Sequence, residues 1–199
     1  MANKIITISR QYGSGGREIG QRLAEKMGIE FYDNKLLDVA SDDSGIHKAH
    51  FTANDEKRTN SFLYLLSTAY GQGSMPFDDT LYFAQQNAIK KVAAEHSCVI
   101  IGRCADYALR DFSGVANVFI TAPFEDRVKR AIEVYDIDEK HAADYVKKVD
   151  KQRVSYYNYY TDRRWGQVQH YQICLDSSAL GIEGTVDLLE QFLKSYYHE

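Results

Sequence analysis

Short apolar runs alternate along the chain with longer segments in which apolar residues recur every three or four positions. The run over residues 4–9 is rich in β-branched side chains and predicts a first strand. Ile19, Leu23 and Met27 then follow at helical spacing. Gly28 stands where a glycine commonly ends a helix. The start of the chain therefore predicts a strand, a loop and a helix.

The same alternation continues to the end of the chain. Further strands are predicted at residues 29–32, 98–101, 115–121 and 171–175, and further helices at residues 78–96, 124–135, 138–160 and 182–196. The stretch 36–73 is less regular and predicts helices joined by a loop. Strands that alternate with helices predict a parallel sheet covered on both faces.

Composition favours one compact domain and excludes several classes of protein. The 199 residues are 44% hydrophobic, enough for one substantial core, and the net charge of −4 argues against a general polyanion binder. The three cysteines form no CxxC pair and the histidines show no zinc spacing, so no residue is assigned as a metal ligand. With neither a membrane-length apolar run nor a leader pattern, we expect a cytoplasmic protein that does not enter a membrane.

A glycine-rich segment joins the first predicted strand to the first predicted helix. It reads Gly13-Ser14-Gly15-Gly16-Arg17-Glu18. Glycines allow successive backbone N–H groups to face one point, and the amino end of the helix adds positive potential. The place of this segment after the first strand favours a phosphate site over a simple connector.

This segment lacks the lysine of the standard phosphate-loop pattern G-x-x-x-x-G-K-[ST]. If Gly15 is the last glycine of that pattern, Gly16 takes the lysine position and Glu18 the hydroxyl position of the extended G-K-G-[ST] form. If Gly16 is the last glycine, Arg17 takes the lysine position. Both registers stay open at this point. We expect Arg17, or the more distant Arg153, to meet the negative charge of a transferring phosphate.

Charged residues also follow other predicted strands. Asp33 follows the second, Arg103 the third and Asp176 the last. Ligands of parallel sheets sit beyond the carboxyl ends of the strands, so Asp33 and Arg103 are candidate substrate contacts. The alternative for Asp33 is a helix cap, and a cap is the favoured role for Asp176. Cys98 and Cys174 lie inside strand patterns and are predicted core residues.

Three segments together resemble the cytidylate kinase-like family, a branch of the P-loop nucleoside monophosphate kinases. They are the glycine-rich segment, Cys-Val-Ile-Ile-Gly-Arg-Cys-Ala-Asp-Tyr at 98–107 and Leu-Asp-Ser-Ser at 175–178. The resemblance implies a three-layer α/β P-loop kinase fold, with a five-stranded parallel sheet, helices on both faces and a helical lid. It implies a single domain over 1–199, with a monophosphate-binding region at about 36–90 and the lid at about 136–165.

The resemblance also implies roles for single residues. Residues 13–18 would hold the phosphates of ATP with Mg²⁺, and Arg103 would hold the acceptor phosphate. Arg130 and Arg153 would approach the transferring phosphate, with Arg163 or Arg164 as further lid candidates. Cys-Ala follows Gly-Arg in this chain, where better-known members carry an acidic residue.

The predicted lid is basic in an acidic chain. Residues 147–164 carry six basic and two acidic side chains, and tyrosines crowd the same stretch. Cations closing over a phosphoryl group suit phosphoryl transfer, whereas the alternative is a solvated helix face. The tyrosines are expected to pack on their own domain or in a homodimer contact rather than on nucleic acid.

These observations predict a kinase that transfers a phosphoryl group from ATP to a nucleoside monophosphate, with a cytidylate-like acceptor favoured. The first alternative is a nucleotide-binding protein of the same fold with little or no kinase activity, because the loop lysine is absent. The second is a single-stranded nucleic-acid-binding module that uses the basic and aromatic lid. The expected partners are small-molecule nucleotides.

Overall fold

The first strand of the chain lies in the middle of a parallel sheet. The structure, a computed structural model, describes residues 3–33, 35–44 and 75–198. Within these ranges five strands form one sheet: β1 (Ile5–Arg10), β2 (Glu30–Tyr32), β3 (Cys98–Ile101), β4 (Val115–Thr121) and β5 (Ile173–Asp176). Their order is β2-β3-β1-β4-β5, and every pair is parallel. The predicted five-stranded parallel sheet is confirmed.

Helices cover both faces of this sheet. They are α1 (Gly16–Met27), α2 (Lys35–Ser44), α3 (Met75–Glu95), α4 (Ala105–Ala108), α5 (Phe124–Tyr135), α6 (Glu139–Tyr160) and α7 (Ser177–Tyr196). The predicted lid contains α6, and the less regular stretch 36–73 lies outside the described residues from 45 onward. No helix within the described ranges is long and apolar enough to cross a bilayer.

The buried core divides between the two faces as the alternation of a strand requires. Ile5 and Ile100 face a cluster that includes Leu36 and Ile89 of the helices α2 and α3. Side chains one position further along β1 and β3 face a second cluster, which α1 and α7 complete. Because both faces are covered, β3 is apolar throughout and β1 carries isoleucines on both faces, as in buried parallel sheets.

The last strand and helix differ from the predicted boundaries. The strand begins at Ile173 rather than 171, and α7 begins at Ser177 rather than 182. Asp176 accepts a hydrogen bond from the backbone N–H of Ser178 at 2.9 Å, so the predicted cap is confirmed and the helix starts early. A kink at Gly181 (φ 66°, ψ 178°) interrupts that helix.

A buried ion pair ties the segment after β1 to two helices. Arg127 of α5 contacts Asp150 of α6 at 2.5 Å, and their side chains are only 9% and 17% exposed. Arg127 Nη1 also donates to the carbonyl oxygen of Tyr12, while the N–H of Tyr12 donates to Asp150 at 2.7 Å. The conformation of the segment after β1 therefore depends on this pair.

We expect Arg127→Met to destabilise the protein by about 3 kcal/mol or more, because it leaves the Asp150 carboxylate buried without its partner. The matched control is Lys194→Met, which removes an exposed pair with Glu190 at 2.9 Å and should cost about 0.5 kcal/mol or less. Urea unfolding measures both. A cost for Arg127→Met no larger than that of the control would contradict the role given to the buried pair.

Candidate active site

The loop between β1 and α1 is held open by its neighbours. Gly13 has a φ of +81°, and a Cβ there would overlap with the carbonyl oxygen of Arg127. Ser14 Oγ donates to the carbonyl oxygen of Gln11 at 2.9 Å, and Ser177 Oγ donates to that of Ser14 at 2.7 Å. Contacts from α5 and α7 thus fix the loop without filling it with its own side chains.

The structure decides between the two registers of the loop. Gly15 has a φ of +73° and is the N-cap of α1, which begins at Gly16. The last glycine before the helix is therefore Gly15, and Gly16 takes the lysine position. The N–H groups of Gly16, Arg17 and Glu18 lie in the first turn, where no intrahelical acceptor exists, so this end of α1 favours an anion.

Glu18 is neutralised in place. Its carboxylate pairs with Arg22 at 2.5 Å and with Nη2 of Arg130. Arg130 in turn lies beside Gly15, its Cζ 3.5 Å from the position a Cβ would take. The arginine of α5 that the sequence singled out is thus at the loop, and the acidic residue near it carries no uncompensated charge.

A cavity of about 260 Å³ opens beside the loop. It lies between the loop, α5 and the start of α7. Its lining includes Gly13, Ser14, Lys129, Arg130, Ser177, Ser178 and Gly181. Gly181, where α7 is kinked, lines this cavity, and the acidic residues Asp126 and Glu133 line it too.

Arg17 does not face this cavity. Its Nε donates to Asp33 Oδ2 at 2.6 Å, at the end of β2, and its side chain is 55% exposed. Burial alone would raise the pKa of Asp33, but the guanidinium groups of Arg103, Arg10 and Arg17 lower it below its usual value. Asp33 is therefore held as a carboxylate by surrounding cations.

Three arginines converge on the other side of the loop, and we call Arg10, Arg103 and Arg153 the arginine cluster. All three line a small cavity of about 30 Å³, together with Tyr156 and Trp165. Arg153 Nη1 donates to the carbonyl oxygen of Arg10 at 2.7 Å. Its Nε is buried and, among the described residues, has no hydrogen-bond partner. The predicted lid arginine is therefore already packed against the end of β1.

The positive charges of the arginine cluster repel one another, so it is costly to keep each guanidinium ionised. Burial and the neighbouring Arg153 and Arg103 groups lower the pKa of Arg10 to about 9, although Asp33 opposes them. Burial also lowers the pKa of Arg103 and of Arg153. An anion bound at the arginine cluster would relieve this repulsion.

Backbone strain positions Arg103. Gly102, Arg103 and Cys104 have φ angles of 65°, 57° and 55°, so three successive residues adopt the left-handed conformation. This is unfavourable for the two that carry side chains. Gln86 of α3 donates to the carbonyl oxygen of Arg103 at 3.1 Å and supports the turn. The chain turns sharply after β3 and directs the Arg103 side chain into the small cavity.

The tyrosines of α6 pack within the domain. Tyr156 and Tyr160 contact Tyr82 of α3, whose ring stacks on Tyr160 at 4.0 Å between centroids. Tyr157 donates to the buried Asp106 at 2.6 Å, and burial raises the pKa of that carboxyl. Packing on the own domain or in a homodimer contact was expected, and the structure shows packing on the own domain for Tyr156, Tyr157 and Tyr160. Arg163 lies over the ring of Tyr107, 5.4 Å from its centroid, outside the arginine cluster.

Sequence reasoning missed Arg10 as a site residue. The signal was present, because Arg10 is the last residue of β1 and ligands gather at the carboxyl ends of parallel strands. It also missed the pair Arg127 and Asp150, which no motif marks. Of the predicted residues, the structure brings Arg103, Arg153 and Asp33 together on one side of the loop, and it places Arg130 beside Glu18 on the other.

Comparisons with solved structures agree with this architecture. An uncharacterized protein from Eubacterium ventriosum ATCC 27560 is 30% identical, and the alignment covers 97% of this chain and 99% of that one, with a TM-score of 0.75. Shikimate kinases from Bacteroides thetaiotaomicron and Aquifex aeolicus are 15% and 17% identical, with TM-scores of 0.55 and 0.50. Those alignments cover 96% of this chain and 98% and 96% of theirs. The kinases share the fold.

The comparison with curated proteins found no match. A family model, described as the cytidylate kinase-like family, matches residues 5–179. This range contains the glycine loop, all five strands and the arginine cluster. The match supports a nucleotide kinase-type function on a P-loop kinase-like fold, and the chain belongs to the cytidylate kinase-like family.

Proposed function

We propose that this protein transfers a phosphoryl group from ATP to a nucleoside monophosphate, with a cytidylate-like acceptor favoured. One observation carries the proposal. The glycine loop stands between a cavity of about 260 Å³ on one side and the arginine cluster on the other. Two anionic ligands that meet at the loop would use both sites at once.

The donor side suits a nucleoside triphosphate. The first-turn N–H groups of α1 and the positive end of its dipole favour phosphate oxygens. The cavity between α5 and α7 offers room for the nucleoside next to Gly13 and Ser14. Arg130 lies at the border between loop and cavity, where its guanidinium would contact the donor phosphates.

Mg²⁺ commonly binds through one or two carboxylates together with substrate phosphates. Glu18 fits this requirement, because its carboxylate lies in the first turn of the helix that follows the loop. A metal ion there would take the place of its pairs with Arg22 and Arg130. The ion would add positive charge next to the phosphates of the donor.

The charge of the acceptor side suits a phosphate monoester. Three guanidinium groups face two carboxylates, Asp33 and Asp150, and each of these already pairs with a further arginine, Arg17 or Arg127. The excess positive charge matches a phosphate dianion better than a single carboxylate, because a phosphate monoester carries about −1.5 to −2 at pH 7. Arg103 can bind two of its oxygens through a planar guanidinium. Tyr156 and Trp165 border the same small cavity.

Catalysis in this arrangement is positioning and electrostatic stabilisation. The loop N–H groups hold the donor, Arg103 holds the acceptor, and Arg130 and Arg153 add positive charge from α5 and α6. Asp33 keeps the acceptor-side arginines in place through charge. A phosphate oxygen of the acceptor, already ionised, attacks the γ-phosphorus without losing a proton.

Two alternatives keep the same fold. A nucleotide-binding protein with little or no turnover is favoured by the missing loop lysine. A single-stranded nucleic-acid module is less favoured, because Tyr156 and Tyr160 pack against α3. A cytoplasmic location and a homodimer stay predictions from the sequence.

A coupled assay with ATP, Mg²⁺ and a panel of nucleoside monophosphates tests the proposal. We expect ADP to form with at least one monophosphate, and CMP or dCMP to give the highest kcat/KM. ATP binding without ADP formation from any monophosphate would favour the non-catalytic alternative. Salt-sensitive binding of single strands with no response to nucleotides would favour the nucleic-acid module.

Gly13→Ala should weaken donor binding. Its Cβ would overlap with the carbonyl oxygen of Arg127, and the loop must move to relieve that contact. Gly28→Ala is the matched control, because Gly28 also has a positive φ (+64°) but no atom within 4 Å of the added Cβ. Isothermal titration with a non-hydrolysable ATP analogue should show at least about tenfold weaker binding for Gly13→Ala only, a loss of about 1.4 kcal/mol. Equal affinities of the two variants would remove the glycine loop from the donor site.

Arg103→Met should chiefly weaken acceptor binding. The variant loses a charge-assisted bidentate contact, so we expect KM for the monophosphate to rise about tenfold or more while the affinity for the ATP analogue changes little. Arg163→Met is the control, since that guanidinium lies over Tyr107 rather than in the arginine cluster. If Arg103→Met lowers thermal stability but leaves KM for the acceptor unchanged, Arg103 has a structural role.

A further inference from the structure

Besides the hydroxyl position, where Glu18 stands, the glycine loop departs from the standard pattern at two positions. Because Gly15 caps α1, the first glycine of G-x-x-x-x-G-K falls at position 10 and the lysine at position 16. This chain has Arg10 and Gly16 there. The long cationic residue and the small residue have exchanged places.

The side chain of Arg10 occupies the space that a residue at position 16 would need. A Cβ on Gly16 would lie 2.6 Å from Cβ and 3.1 Å from Cγ of Arg10. Gly16 has no positive φ, so its backbone does not require glycine. Contact with Arg10, and with the Cβ of Ile120 at 3.2 Å, is therefore the physical reason for a glycine at this position.

The other end of Arg10 reaches the next strand of the sheet. A Cβ on Gly102, directly after β3, would overlap with Nη1 of Arg10. The guanidinium thus lies between the ends of β1 and β3, and the first carbons of the side chain lie beside Gly16 at the start of α1. A cation at this place stands between the donor side and the acceptor side of the loop.

Other basic residues near the loop have different positions. Arg17 turns away to Asp33, and Arg130 lies on the donor side with Glu18. Arg153 is held against the carbonyl oxygen of Arg10 and lines the acceptor cavity. The side chain of Arg10 lies against both Gly16 at the start of α1 and Gly102 at the end of β3.

We propose that Arg10 is the catalytic cation that replaces the loop lysine, contacting the phosphoryl group as it passes from donor to acceptor. This inference rests on the proposed phosphoryl transfer. In that step the bond between the γ-phosphorus and the bridging oxygen breaks, and its electron pair stays with ADP. A bond forms from an acceptor phosphate oxygen to the γ-phosphorus. Arg10 stays protonated throughout and meets the charge on the transferring oxygens.

The test compares a variant that lacks the cation at position 10 with one that carries a cation at position 16 instead. Arg10→Met removes the charge and keeps much of the apolar stem. Arg10→Gly with Gly16→Lys restores the standard arrangement, and glycine is required at position 10 because the Cβ of any other residue would stay near the new side chain. Arg110→Met is the control, an exposed guanidinium that stacks on Tyr107 at 4.3 Å.

We expect Arg10→Met to lower kcat about 10³-fold while the affinity for an ATP analogue changes less than about fivefold. Arg10→Gly alone should be equally slow. The exchanged double variant should be at least about tenfold faster than Arg10→Gly. Thermal unfolding checks that each variant is folded, and the double variant decides the question if Arg10→Met does not fold.

Two results would overturn the role of Arg10. One is turnover by Arg10→Met within about threefold of the unmodified protein and the Arg110→Met control. The other is a double variant that folds and binds ATP but is no faster than Arg10→Gly. Failure of the proposed function is a separate result, because then the unmodified protein itself gives no ADP with any monophosphate.

Discussion

The buried pair of Arg127 and Asp150 is the constraint on which the site depends. It joins α5 to α6, and both partners bond to the backbone of Tyr12 at the start of the glycine loop. The loop can therefore stay open without a ligand, because polar groups of two helices satisfy its backbone at one end and Ser177 of α7 does so further along. A buried pair of this kind costs desolvation, and its value lies in fixing one conformation of the loop. Phosphate-binding N–H groups are useful only if they are directed before the ligand arrives.

The glycine loop lies between two groups of charged side chains. On the proposed donor side, the carboxylate of Glu18 pairs with Arg22 and Arg130, which reduces its repulsion toward a triphosphate. On the proposed acceptor side, the arginine cluster faces Asp33 and Asp150, which already pair with Arg17 and Arg127. Burial, and after it the neighbouring arginines, lower the pKa of Arg10 there. The strained left-handed backbone from Gly102 to Cys104 holds Arg103 in this cluster, at a place that packing alone would not favour.

Much of the fold could be predicted because its signals are local. Apolar runs of four to seven residues marked β3 and β4, and the helical spacing after the glycine loop marked α1. Features that depend on strand order or on the direction of a side chain could not be predicted from local patterns. Cys174 was predicted in the core, but β5 lies at the edge of the sheet and leaves it exposed, because strand order is decided by long-range pairing. Arg17 was expected near the phosphates by sequence distance, yet the direction of its side chain from the first turn takes it to Asp33. The contacts of the Arg10 side chain with Gly16 and Gly102 depend on tertiary structure, so local sequence patterns could not predict them.

The absence of the loop lysine is weak support for a protein without turnover. Phosphoryl transfer needs positive charge at a point in space, and the identity of the residue that brings it is secondary. A guanidinium is larger than an ammonium group and presents its donors in a plane, so it cannot simply occupy the lysine position at the start of α1. The side chain of Arg10 starts at the end of β1 and approaches the loop from another direction. Gly16, which has no side chain, leaves space for it. With glycine at position 16 and the cation at position 10, the positive charge stays at the loop but reaches it from the end of β1.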